Sequence, residues 1–175
     1  MRRLLLLRHA KAERLTPGGR DLDRILAARG RSDAKTLGIY LARHRPIPDC
    51  AVVSPSARTR ETWALVAAAF AKAPAVQFED RLYDASPRAI LDVVKQTADD
   101  IGTLLVIGHN PGLQELATML TASGDVEARE RLGREFPTSA LATIGLAAAS
   151  WSGVHARGGR LEHFVTPEWL ETAGD

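Results

Sequence analysis

Two arginines and two histidines in this chain stand where chemistry is possible. Arg8-His9 follows the leucine run at 4–7, Ser54-Pro55-Ser56-Ala57-Arg58 follows the apolar run at 51–53, and Gly108-His109-Asn110-Pro111-Gly112 follows the run at 104–107. An arginine fork is always charged and matches phosphate geometry, so Arg8 and Arg58 from different loops can clamp one phosphoryl group. A histidine beside them can be nucleophile, base or hydrogen-bond donor, because its ordinary pKa of about 6.5 leaves both protonation states accessible. Pro111 suits a first helical position, which would aim the free amides and positive dipole end of its helix at the same anion. Phosphoryl chemistry is the reaction class this set suits best.

These residues must be positioned by elements whose ends converge. Short apolar runs at 4–7, 51–53, 76–78 and 104–107 are unbroken by polar residues, the pattern of buried parallel strands. Helical spacing separates them: Ala34, Leu37, Gly38 and Leu41 within 29–44, then Trp63, Val66, Ala67 and Phe70, then Ile90, Val93, Val94 and Thr97 within 87–98. Leu113, Leu116, Ala117 and Leu120 follow the same spacing. Segments 140–144 and 161–165 are expected as later strands, the second at an edge. The alternation predicts an α/β fold, a three-layer α/β/α sandwich with a mostly parallel central sheet, as a single domain over 1–175. Ligands of such sheets gather at the carboxyl ends of strands, where all three motifs fall.

Composition narrows the classes. With 175 residues, 45% hydrophobic and 25% charged, the chain can bury a real core. One cysteine, Cys50, excludes an intrachain disulfide and favours a reducing compartment, the cytoplasm. The opening apolar run ends at Arg8, too short for a secretory signal, so these residues are read as mature structure, with no membrane association. Residues 1–60 hold 14 Lys+Arg against 5 Asp+Glu, while 61–175 hold 9 against 16, so the net +2 conceals +9 against −7. A basic first third serves nucleic acid, membrane or phosphorylated ligands alike, but basic-aromatic interleaving is absent, which argues against a nucleic-acid partner. No His-Glu-x-x-His or comparable ligand spacing occurs that would argue for a metal, and no cofactor is expected.

Taken in order, Arg8-His9, Ser54-Pro55-x-x-Arg58 and Gly108-His109 resemble the histidine phosphatase superfamily, whose members share the phosphoglycerate-mutase-like fold. Asp23-Arg24-x-Leu26, Arg29-Gly30-x-x-Asp33-Ala34, Asp80-Arg81-Leu82-Tyr83 and Thr138-Ser139-Ala140 resemble its SixA-type branch of phosphohistidine phosphatases, and the resemblance covers nearly the whole chain. It implies a metal-independent reaction in which His9 takes the phosphoryl group, Arg8 and Arg58 hold its oxygens, His109 donates to it, and water hydrolyses the phosphoenzyme. Implied substrates are phosphohistidine-bearing proteins, phosphotransfer domains or phosphotransferase-system carriers. Ala10 departs from the family's usual glycine, so either the backbone there is ordinary or strain is tolerated.

Each residue also has a plainer reading. His9 can be a partly buried hydrogen-bonding residue, Arg58 a surface charge beside Arg60, His109 a helix cap, Ser54 a cap or phosphate ligand, and Ser139 a strand-entry residue or a second ligand. Asp84, two places beyond Leu82, is either the proton donor of a phosphomonoesterase or a capping residue before Ser86-Pro87. Lys11, Arg24 and Arg29 either extend a positive field or are surface charges. His44, His155 and His163 follow no motif and read as surface or loop residues, Cys50 as a small core residue, and Trp151 and Trp169 as candidate interface residues. Beside a phosphohistidine phosphatase stand a phosphomonoesterase for small esters, a non-catalytic phosphate-binding module and a nucleic-acid binder. The oligomeric state is left open.

Overall fold

Leu4, Leu5, Leu6 and Leu7 are all fully buried, which requires a strand covered on both faces. The computed structural model, which describes residues 1–44 and 46–173, shows how this is met. Side chains alternate along a strand, so Leu4 and Leu6 enter one hydrophobic layer while Leu5 and Leu7 enter the other. Their strand, β1 (Arg2–Arg8), pairs in parallel with β4 (Thr103–Gly108) and antiparallel with β6 (Leu141–Leu146). Fully burying each leucine stabilises the fold by roughly 1.5–3 kcal/mol relative to exposure.

The remaining strands are β2 (Cys50–Val53), β3 (Ala75–Phe78), β5 (Thr121–Gly124) and β7 (Gly159–Val165), giving one seven-stranded sheet of order β3-β2-β4-β1-β6-β7-β5. Only β6 runs antiparallel to its neighbours, so the sheet is mostly parallel as expected. On one face lie α1 (Ala28–Arg43), α2 (Ala57–Ala67) and α6 (Pro167–Thr172), packing Leu37, Leu41, Trp63, Val66 and Leu170 against the leucines at 5 and 7. The other carries α3 (Pro87–Lys95), α4 (Gly112–Leu120) and α5 (Val126–Arg134), with Ile90, Val94, Leu113, Leu116 and Leu132 in its core.

Several expectations need correcting. Strand β7 is internal, because the short strand β5, whose Thr-Ala-Ser-Gly sequence lacks an apolar run, pairs outside it. At the other edge β3 is exposed throughout rather than buried: it has one neighbour, and Phe78 is sheltered only by the Arg60 guanidinium 4.2 Å above its ring. Helix α2 stops before Phe70, which still packs on the core as a partly buried loop residue. Helices α5 and α6 had no strong apolar stripe to announce them. Trp151 is wholly buried, its indole N–H donating to the Ile101 carbonyl at 2.7 Å, so it serves the core and no interface. Trp169 stays partly exposed, edge-on to Tyr40.

The segment between β1 and α1 is pinned rather than loose. Ala12 bridges Leu26, Ala27 N–H donates to the Lys11 carbonyl at 2.9 Å, and Glu61 accepts from Leu26 N–H at 2.8 Å. Helix α1 lies so close to it that a Cβ at Gly30 would collide with the Lys11 carbonyl oxygen. A Gly30→Ala chain should therefore be destabilised by roughly 1–3 kcal/mol in urea unfolding, despite alanine's better helix propensity. An unchanged or raised stability would show that the Lys11 segment yields freely.

Candidate active site

The strand register brings the motifs together. Arg8 pairs with Gly108 across β1 and β4, so the next residues, His9 and His109, leave adjacent parallel strands side by side. Their ring centroids are 5.3 Å apart. Strand β2, on the other side of β4, delivers Ser54 and then α2, whose N-cap is Ser56, accepting from Thr59 N–H, and not Ser54. Arg58 thus projects from the first turn of α2 toward both imidazoles, and its side chain is almost fully buried.

The hydrogen bonds assign the tautomers. His9 Nδ1 lies 2.7 Å from the Ala10 carbonyl, which can only accept, so Nδ1 carries the proton and Nε2 keeps its lone pair. That Nε2 accepts from Arg58 Nε–H at 3.3 Å. His109 Nδ1 accepts from Arg58 Nη2–H at 3.3 Å, so its Nε2–H donates to Ser54 Oγ at 2.7 Å. Burial lowers the His9 pKa to about 4, helped by the charges of Arg58 and Arg8 and opposed by the Ala10 carbonyl. His109 is lowered to about 3 by burial first, then by His9 and Arg58. Both rings are neutral at pH 7 in the ligand-free site, leaving two lone pairs and a guanidinium edge facing one small volume. An anion entering there would meet Arg58 Nε and Nη2, and would raise both histidine pKa values.

Arg8 completes the set from the end of β1, its Nη1 donating to the Phe136 carbonyl at 2.9 Å while its Nε is buried without a partner among the described residues. Desolvation and the nearby Arg58 lower its pKa, as expected of two cations held close. Ser139 is also at the site. Its N–H points at the Arg8 and His9 carbonyls, at 3.2 and 3.1 Å, and its Oγ is buried with no partner among the described residues. It holds φ 62°, a left-handed conformation that costs a non-glycine residue roughly 1–2 kcal/mol. Ala10 has no positive φ; it is fully buried and donates to Thr62 Oγ1 at 3.0 Å, so its backbone is ordinary and no glycine is needed.

Asp84 is exposed, at φ 51°, and makes no hydrogen bond to the other residues of the site. Ser86, not Asp84, caps α3. The loop carrying Asp84 does abut the site, because a Cβ at Gly112, the first residue of α4, would collide with the Ala85 carbonyl. Pro111 occupies the cap of α4 rather than its first turn. Arg24 and Arg29 are tied to Asp21 and Asp33 respectively, while Lys11 is exposed and has no ion pair among the described residues. His44, His155 and His163 lie exposed, away from this cluster, and Cys50 is half-buried against the core.

Sequence reading overlooked Asp21 and gave Tyr83 no role. Asp21 lies in a 3-10 turn (Asp21–Asp23), where its main-chain carbonyl accepts from Arg58 Nη1 at 2.8 Å and its Oδ2 accepts from Arg58 Nη2 at 3.0 Å. The same Oδ2 accepts from the Tyr83 hydroxyl at 2.6 Å, and Oδ1 from Arg24 Nη1 at 2.9 Å. These donors, Tyr83 first, hold the Asp21 carboxyl well below the usual carboxylate range. The available signal was rarity: Asp21 is one of only five acidic residues among the first sixty.

Residues 4–89 match the family model described as histidine phosphatase superfamily (branch 1). A Mycobacterium tuberculosis protein, Rv1276c, itself uncharacterised, is 35% identical over 163 residues, 92% of this chain and 99% of its own. Among solved structures, SixA of Nakamurella multipartitia superposes with a TM-score of 0.83 at 29% identity, covering 95% of this chain and 96% of its own. SixA of Agrobacterium tumefaciens gives 0.77 at 29%, covering 95% and 98%. The chain belongs to the histidine phosphatase superfamily, in its SixA-type branch, and is a phosphatase. Among the described residues no group of three or more His, Cys, Asp or Glu could hold a metal ion, and no helix is long and apolar enough to cross a membrane.

A histidine buried neutral has a lower pKa folded than unfolded, so its contribution to stability is complete above about pH 6.5 and lost as pH falls through that value toward 4. For the ligand-free protein, stability should fall by on the order of 2 kcal/mol per histidine between pH 7 and 4. Nitrogen NMR should find both rings neutral at pH 5.5 with His9 protonated at Nδ1; ring titrations centred near 6.5 would contradict this.

Proposed function

We propose that this phosphatase hydrolyses phosphohistidine on a protein, in the cytoplasm, through a phosphoryl intermediate on His9. The observation carrying the reading is the tautomer of His9: with Nδ1–H spent on the Ala10 carbonyl, the Nε2 lone pair is left as a nucleophile facing the guanidinium edge of Arg58. In the first step His9 Nε2 bonds to phosphorus as the substrate's N–P bond breaks. The departing imidazole leaves neutral when its other ring nitrogen is protonated. In the second step water bonds to phosphorus, the His9 N–P bond breaks, and inorganic phosphate leaves with the ring restored. Arg8 and Arg58 balance charge on the phosphoryl oxygens, where positioning and electrostatics supply most of the catalysis. His109 picks up a proton as the dianion arrives and donates through Nδ1, steadied by Ser54, and Ser139 Oγ offers a further buried donor.

The leaving group favours this reading over an ester. An alkoxide must be protonated as it departs, and Asp84 makes no hydrogen bond that would hold its carboxyl over the site. A protein-sized substrate is supported by the open groove of about 750 Å³ along the loop after His9, where half-exposed Leu15 and Ile25 lie beside Lys11 and Arg14.

Metal-free phosphate release from a phosphohistidine-bearing protein is expected to be rapid for the wild type and to fall by three or more orders of magnitude in His9→Ala with the fold intact, on the order of the loss expected when a nucleophile is removed. Arg58→Ala should lower kcat and raise KM together. An aryl phosphate should turn over slowly, and Asp84→Asn should leave phosphohistidine turnover unaltered. Faster hydrolysis of the ester, lost in Asp84→Asn, would make the protein a phosphomonoesterase instead.

A further inference from the structure

The two hydrogen bonds between Arg58 and Asp21 divide the guanidinium in a specific way. Its end-on edge, Nη1 and Nη2, is occupied by the carbonyl and carboxylate of Asp21. Its side-on edge, Nε and Nη2, is what reaches His9 Nε2 and His109 Nδ1. A fork anchored at one edge can offer a phosphoryl group only the other, so Asp21 fixes which edge does the binding. The anchor is itself braced, since Tyr83 and Arg24 hold its two oxygens and Tyr83 stands edge-on to His109 at 5.5 Å between centroids.

Asp21 also has a charge, and its place matters. The Arg58 side chain is 7% exposed and that of Asp21 is 42% exposed, so the carboxylate forms the rim where the buried pocket meets solvent. In an in-line attack from His9 the leaving group departs on the side of phosphorus opposite the buried ring, and the Asp21 carboxylate stands close by, bonded to the same Arg58 Nη2 that reaches His109. A leaving group bearing a carboxylate or second phosphate then passes a fixed negative charge, whereas an imidazole does not. The carboxylate stays ionised at any working pH, its donors holding it well below the usual range.

We propose that Asp21 is a positioning and specificity-determining residue: it locks Arg58 by its end-on edge and, as a fixed rim charge, selects neutral or cationic leaving groups such as imidazole over anionic phosphometabolites. This rests on the phosphohistidine reading for its natural substrate, though the charge filter itself does not.

Asp21→Asn keeps one of the two acceptor oxygens and removes the charge, while Asp21→Ala removes both oxygens and the charge. The measurement is kcat/KM for N-acetyl-phosphohistidine amide and for 3-phosphoglycerate, whose leaving group carries a carboxylate. Asp21→Asn should raise the ratio in favour of 3-phosphoglycerate by roughly fivefold, the size expected of one partly screened charge several ångströms away. Asp21→Ala should lower kcat for both by about tenfold or more through misorientation of Arg58, with Asn restoring most of it. A parallel arm needs no turnover: calorimetric Kd values of phenyl phosphate and 3-phosphoglycerate for His9→Ala, with and without Asp21→Asn. The same ratio shift is expected there. Equal effects on both ligands in both arms would overturn the charge filter and leave Asp21 a structural residue. Failure of the wild type to cleave phosphohistidine would instead overturn the proposed substrate, with the binding arm still deciding the role of Asp21.

Discussion

Arg58 carries a full positive charge with 6% of its surface exposed, and much of the site is arranged around the cost of keeping it there. A buried guanidinium without partners would be severely destabilising. Asp21 supplies the counter-charge, two imidazole lone pairs take the remaining edge, and burial, with the charge of Arg58 adding to it, keeps the imidazoles in their neutral forms. One desolvated cation therefore orients both imidazole lone pairs, reinforces the neutral state that burial imposes on the rings, and gives the site its affinity for an anion.

The layers of the fold were legible because they follow from side-chain pattern. Uninterrupted apolar runs mark strands covered on both faces, and the helix stripes at 37 and 41, or 113, 116 and 120, are the faces that cover them. What escaped were elements defined by their neighbours. Strand β5 is held by pairing with β7 more than by its own composition, and the exposure of β3 follows from its place in the sheet order, which local sequence does not encode. Trp151 looked like a surface aromatic because its burial depends on Ile101, fifty residues away.

The candidate site was legible to the extent that its residues sit immediately after strands. His9, Arg8, Arg58 and His109 come together as their positions implied, and Ser54 and Ser139 touch the cluster by polar contacts that spacing alone left ambiguous. Asp21 was hidden because it comes from the middle of a connecting segment and acts through tertiary contacts. The plainer reading of Arg29 as a surface charge fits its ion pairs, Arg24 instead braces Asp21, and the question raised by Ala10 disappears in an ordinary backbone conformation.

The pairing of Arg8 with Gly108 gives the site an unusual kind of robustness. The separation of the two imidazoles is inherited from the spacing of neighbouring parallel strands, which is about 4.8 Å in every sheet. It does not depend on how any loop folds. Connecting segments outside the one that carries Asp21 can therefore lengthen, shorten or change charge, and so exchange one phosphorylated partner for another, while the two imidazoles keep their separation. The vulnerable change is of a different sort: one residue inserted within β1 or β4 would turn its histidine toward the opposite layer and separate the pair altogether.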